Sequence, residues 1–209
     1  MPDHAPATAP PAADRLVRQL AFVRELDRLK AVLRATSLID RSRRENSAEH
    51  SWHLATMALV LAEYAPPGAD LARVVEMLLV HDVVEIDADD APAFDAAAQA
   101  GKAAREAAAA DRLFGLLPDD LARRLRARWD EFEAGRTPAA RFANALDRLQ
   151  GLVLNDAADD GGTWRRYGVS RAQVLARMAP VEHGAPGLWP VVLDAVDRAV
   201  AAGFVRADA

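Results

Sequence analysis

The segments EHSWH (49–53) and HDVVE (81–85) hold three of the chain's five histidines, two of them beside carboxylates. The sequence contains no cysteine. Disulfides and thiolate ligands are therefore excluded, and any metal would be held by imidazole nitrogen and carboxylate oxygen. His81 follows Leu78 by three positions and Val74 by seven, which continues the apolar stripe of a helix; Asp82 stands roughly 100° further round, near the same face. An ionised Asp left unpaired in an interior is costly, and a cation shared with a neighbouring imidazole is one of the few ways to stabilise it. Taken alone, a His-Asp pair is more often a solvent-exposed helix edge.

His50 shifts that balance, because it shares a stripe with Leu54, Met57 and Leu61 and so faces the interior from the preceding helix. His53 continues through Met57 and Val60, which are also apolar. It reads equally as a packed or hydrogen-bonded histidine and stays outside the candidate ligands. Asp147 is the fourth candidate, since it interrupts the otherwise apolar FANALDRLQGLVL; the competing reading is a helix-edge Asp paired with Arg148 or Arg141. Glu85 lies four residues after His81 and three after Asp82, so on a helix it projects toward the same spot.

These residues need helices to aim them. Leu16, Leu20, Val23, Leu26, Leu29 and Leu33 recur at steps of three and four, which predicts a first helix ending near Arg34 with a core-facing stripe. ATSLIDRSRREN is rich in residues that compete with helical hydrogen bonds, and Ser47 is expected as the N-cap of a second helix running to about Tyr64. Pro66, Pro67 and Gly68 break it, and a third helix from Leu71 leads into His81 and Asp82. The alanine-rich stretch between Pro92 and Pro118 predicts a peripheral helix with a weak core face. Further helices are expected from Pro118, from Thr137-Pro138 (Phe142, Leu146, Leu149 and Val153 on one stripe), over about 170–179 and over 187–202. No run alternates with period two, so no strand is expected. The fold class is all-α, an irregular bundle of seven or eight helices, with residues 1–13 as a mobile tail and 14–209 as one domain.

A length of 209 residues and 51% hydrophobic content suit one globular domain. Acidic side chains outnumber basic ones by 31 to 26, so no global positive field exists to hold a polymeric nucleic acid. MPDHAPATAPPAAD lacks the apolar run of a signal peptide, and no later stretch is apolar enough to span a membrane. The expected setting is the cytoplasm, without a membrane partner.

The words REN-SAEHSWHLA, MLLVHDVVEI, DADDAP and LDRLQ, in that order, resemble the HD-domain metal-dependent phosphohydrolases, in particular the subgroup that includes the 5'-deoxynucleotidases. The resemblance covers about 34–154. It implies an HD-type helical fold and marks His50, His81, Asp82 and Asp147 as ligands of one divalent metal ion, with Glu85 and Asp90 as catalytic carboxylates. Two His and two Asp suit Mn, Co, Fe or Mg, with Zn also compatible. Asp87 and Asp89 read as solvated loop or cap residues. The resemblance further implies hydrolysis of a (deoxy)ribonucleoside 5'-monophosphate, a small-molecule nucleotide substrate, and a homodimer.

Arg34 and Arg44 are the expected phosphate-binding arginines, because planar guanidinium groups match phosphate oxygens. The deoxynucleotidases carry an Arg-Trp pair at this point. This sequence has Arg34 without the Trp, so a preference for deoxyribose does not follow, and Trp52 is expected to pack in the core. Two other functions compete: an HD-type phosphodiesterase acting on a cyclic or signalling nucleotide, and a non-catalytic helical nucleotide-binding protein. The lone His183 is expected on the surface.

Overall fold

The computed structural model describes residues 12–208. The tail expected over 1–13 lies outside them but for its last two residues, which already belong to α1 (Ala12–Leu26). A 3-10 turn, Asp27–Ala31, follows, and then the chain forms what the sequence did not announce: an antiparallel hairpin of β1 (Leu33–Ser37) and β2 (Arg44–Asn46). The first helix thus stops well before Arg34, which sits in β1. Leu33 pairs with Asn46 and Ser37 with Arg44, with an irregularity between them. Strands this short draw their order from the partner strand rather than from their own periodicity, which is why pattern reading misses them.

α2 (Ser47–Val60) starts from a capping box in which the Asn46 side chain accepts from the Glu49 amide and Glu49 answers at the Asn46 amide, so Asn46 and not Ser47 is the N-cap. α3 (Leu71–Val80) is capped by Asp70. It ends one residue before His81, and His81–Val84 form a 3-10 turn that leads into the single turn α4 (Glu85–Ala88). After α5 (Ala96–Gln99) come α6 (Lys102–Phe114), α7 (Asp119–Ala134) and the long α8 (Pro138–Asp156) with Thr137 as its cap. α9 (Gly162–Tyr167), α10 (Arg171–Gly184) and α11 (Trp189–Ala201) complete the chain. The architecture is all-α apart from the hairpin, and no helix among the described residues is long and apolar enough to cross a membrane.

Two apolar cores hold these elements. The larger gathers Leu54, Met77, Leu78, Phe142, Leu146, Val174, Val181 and Val192 from α2, α3, α8, α10 and α11. The smaller gathers Phe22, Leu29, Val83, Val84, Ile86, Leu113, Phe114 and Trp129. The alanine-rich helix α6 is therefore not peripheral: its small side chains let Ala109, Ala110, Leu113 and Phe114 pack closely into the smaller core. The α1 stripe departs from expectation in the other direction. Phe22 is buried, but Leu16, Leu20 and Val23 are 46–59% exposed.

The chain crosses between the cores at His81. Leu78 belongs to the larger core and Val83 to the smaller, and the tightening from α-helix to 3-10 turn at that point is what turns His81 and Asp82 into the seam.

Candidate metal centre and its cleft

Three elements bring the histidines and Asp147 together. His50 lies in the first turn of α2 and is fully buried, His81 opens the 3-10 turn and is 4% exposed, and Asp147 points from the middle of α8. One ligand atom from each of the three lies within 4.8 Å of the other two. His50 Nε2 is 3.1 Å from Asp147 Oδ1 and 3.7 Å from Asp82 Oδ2. His81 Nε2 is 3.1 Å from Asp82 Oδ1. Asp82 thus stands beside the trio, touching both imidazoles, while its Oδ2 accepts a 2.9 Å hydrogen bond from Arg34 Nη1.

The protonation pattern fits a cation. His81 Nδ1 lies 2.9 Å from the Leu78 carbonyl oxygen, which can only accept, so Nδ1 carries the proton and Nε2 presents a lone pair. That lone pair faces a carboxylate oxygen, and Nε2 has no hydrogen-bond partner although it is buried. Two lone pairs facing each other in a dry site are stabilised by a positive ion between them or by a second proton on the ring. Burial, together with the nearby Arg34 charge, opposes a proton on His50, whose pKa falls to about 4. Burial pushes the Asp147 carboxyl upward, but Arg148 and His50 outweigh it and hold the group well below the usual carboxylate range. A neutral His50 imidazole beside an ionised Asp147 carboxylate is ligand chemistry that a divalent metal takes.

A polar network lies behind His50. Glu45, from β2, is 2% exposed, and its Oε2 lies 3.8 Å from His50 Nδ1. Gln150 Nε2 donates to Glu45 Oε1 at 2.7 Å and lies 3.3 Å from His53 Nδ1, so His53 belongs to this supporting network and not to the trio. Sequence reading missed Glu45 because its strand was missed.

Glu85 is buried and accepts from Ser47 Oγ at 2.6 Å. Burial and the neighbouring Asp82 charge raise its pKa well above the ordinary value. Asp90 lines the cleft next to the trio. It is swung there by Asp89, whose φ of +58° is a left-handed turn that Asp tolerates better than most residues. Asp89 itself is exposed, and Asp87 is paired with Arg112, as a solvated reading requires.

The open cleft, about 650 Å³, is lined by Arg34, Asp90, Asp147, Arg148 and Arg177, with Phe94 and Tyr167 adding apolar wall. Arg34 is thus at the site. Arg44 is not among the lining residues; its guanidinium is exposed and donates to the carbonyls of Leu33 and Arg34, bracing the hairpin. Trp52, expected in the core, is 68% exposed on the outer face of α2. His183 is exposed, as expected.

The fold and the trio together define a metal-dependent phosphohydrolase. The HD domain family model matches residues 26–189, most of the chain, and the protein belongs to that family. It is similar to 5'-deoxynucleotidase HDDC2 of Homo sapiens, 30% identical over 143 residues that make up 68% of each chain, and to that of Bos taurus at 31% over the same shares. Among solved structures it is similar to one described as a predicted metal-dependent phosphohydrolase from Magnetospirillum magnetotacticum MS-1. That chain is 50% identical with a TM-score of 0.86, covering 92% of this chain and 98% of its own.

Proposed function

We propose that this protein hydrolyses (deoxy)ribonucleoside 5'-monophosphates to nucleoside and phosphate, using one divalent ion (Mn, Co, Fe or Mg, with Zn compatible) held by His50, His81, Asp82 and Asp147. The observation that carries the reading is the meeting of His50, His81 and Asp147 from three separate elements, with the buried Glu85 and the cleft residue Asp90 nearby. Residues 14–209 act as the catalytic unit. When bound, the ion lowers the pKa of a water from about 15.7 toward about 7 and offsets charge on the phosphoryl oxygens.

The chain's own side chains supply the rest. Glu85, which accepts from Ser47 and whose pKa burial raises, is the group assigned to hand a proton to the departing sugar oxygen. Asp90, at the cleft wall, is placed to bind a sugar hydroxyl. Arg34 keeps its charge, because Asp82 and Asp147 outweigh the burial that opposes it, and it offers donors to the phosphoryl group. The residue after it is Ala35, which also lines the cleft. A small side chain there leaves room for a 2'-hydroxyl, so ribonucleotides are expected as substrates alongside deoxyribonucleotides.

Trp52, Leu59 and Val60 on the outer face of α2 are 62–70% exposed. They support the homodimer implied by the family, which sedimentation would detect as twice the chain mass. The test of the function is a panel of dNMPs, NMPs and cyclic nucleotides, each with several divalent metals, read as inorganic phosphate. Release from 5'-monophosphates supports the reading. Turnover of cyclic nucleotides alone would transfer the site to a phosphodiesterase.

A further inference from the structure

Three arginines wall the cleft, Arg34, Arg148 and Arg177, against two carboxylates, Asp90 and Asp147. Two of the three are committed. Arg34 donates to Asp82, and Arg148 is paired with the adjacent Asp147. Arg177 forms no hydrogen bond or ion pair among the described residues, although it is half-buried. A guanidinium carries five N–H donors, and holding them in a concave, partly dry site without an acceptor is unfavourable. The strain on that charge is visible: burial first, and then the like charge of Arg148, draws its pKa down to about 10.

The position of Arg177 is fixed by backbone. Val174, Arg177, Val181 and Gly184 fall at steps of three and four on one face of α10, and both valines are fully buried. At Gly184 an added Cβ would come within 2.2 Å of the Arg141 carbonyl oxygen, so α10 lies directly on the backbone of α8, the helix that carries Asp147 and Arg148. An unpaired arginine set by a helix-on-helix contact beside the trio is a preformed anion receptor.

We infer that Arg177 is a phosphate-binding residue of this cleft. Its guanidinium fork takes non-bridging oxygens of the phosphate monoester from the α10 side, while Arg34 approaches from β1. The inference rests on the phosphomonoesterase reading above. It adds a specificity consequence: a ligand must carry a terminal phosphoryl dianion to engage both arginines, so monoesters bind more tightly than diesters of the same nucleoside.

The probe is inorganic phosphate, titrated calorimetrically into the full chain both after chelation and with Mn²⁺ restored. Arg177→Gln is expected to weaken phosphate binding at least about tenfold in both forms and to raise KM more than it lowers kcat, with bound metal unchanged. Arg177→Lys, which keeps the charge but loses the fork, is expected to recover only part of the affinity. Arg44→Gln serves as a control and should bind phosphate as the wild type does. Thermal melts confirm folding of each variant. Unchanged phosphate affinity in folded Arg177→Gln, or no phosphate binding by the wild type in either form, overturns the inference even where the wild type hydrolyses nucleotides. Arg177-dependent phosphate binding by a wild type inactive on the nucleotide panel would instead overturn the substrate reading and leave the anion site standing.

Discussion

The two cores differ in depth, and the site draws on both. In the larger one, Leu54, Val74, Leu78, Phe142, Leu146, Val181 and Val192 are fully buried. In the smaller one, Phe22, Leu29, Val32 and Trp129 keep 5–8% of their surface, and α1 covers it with a helix whose outward residues are largely apolar and exposed. His50 and Asp147 stand on helices of the deep core, whereas Glu85 stands on the segment anchored in the shallow one. His50 and Asp147 are thus tied to the best-packed part of the molecule, while His81 and Asp82 sit at the seam between the cores. Glu85 sits where the packing is thinner.

Experiments can break or sharpen this contrast. The largest effect is expected from Asp82→Ala or Asp147→Ala, which should remove bound metal and lower phosphate release more than about 10³-fold, since the ion supplies several kcal/mol of transition-state stabilisation. Metal analysis of the purified variant checks it, and retained metal with normal turnover would remove these residues from the centre. Next, Glu85→Gln should keep the metal while kcat falls by about 10²- to 10⁴-fold; equal losses of metal and rate would mean that Glu85 acts on the ion rather than on a proton.

The cores themselves can be compared by truncation. Leu146→Ala in the deep core should cost about 2–5 kcal/mol in denaturant unfolding, whereas Leu20→Ala on the exposed stripe of α1 should cost about 0.5 kcal/mol or less. A cost at Leu20 matching that at Leu146 would mean that the stripe is covered in solution.

The smallest effect concerns how α1 is held to α7, through Arg15 and Asp120, whose Nη1 and Oδ1 are 2.7 Å apart. The hydrogen bond from Arg15 lowers the pKa of Asp120 to about 2. A depressed carboxyl contributes stability above its unfolded value of about 3.9 and loses it as pH falls through the folded value. The melting-temperature gap between wild type and Arg15→Ala should therefore be small at pH 5 and close as pH falls from about 4 toward about 2. A gap that is constant with pH would show that the pair contributes through packing alone.

His50 and His81 were legible because helix periodicity points them inward; Asp147 was singled out by the resemblance of the words around it, since its own position left a helix edge paired with Arg148 or Arg141 open. Arg177 was not legible. It lies thirty positions after Asp147 in an arginine-rich chain, and nothing local separates an arginine aimed inward from one in water. Glu45 escaped for a related reason, since a buried carboxylate is recognisable only once its strand is placed, and the three residues of β2 carry no period of their own. Trp52 and the α1 stripe show the converse limit. Periodicity says that a face is apolar and leaves open what covers it.

The turn His81–Val84 has one more implication. Its first two side chains are proposed ligands and its next two, Val83 and Val84, are bolts of the shallow core. A ligand that tightens one half of such a hinge necessarily tightens the other, and the linkage runs both ways. Stripping the ion should therefore speed amide exchange along α6 and the end of α1 more than along α8 or α11, making the thinner lobe a gauge of occupancy.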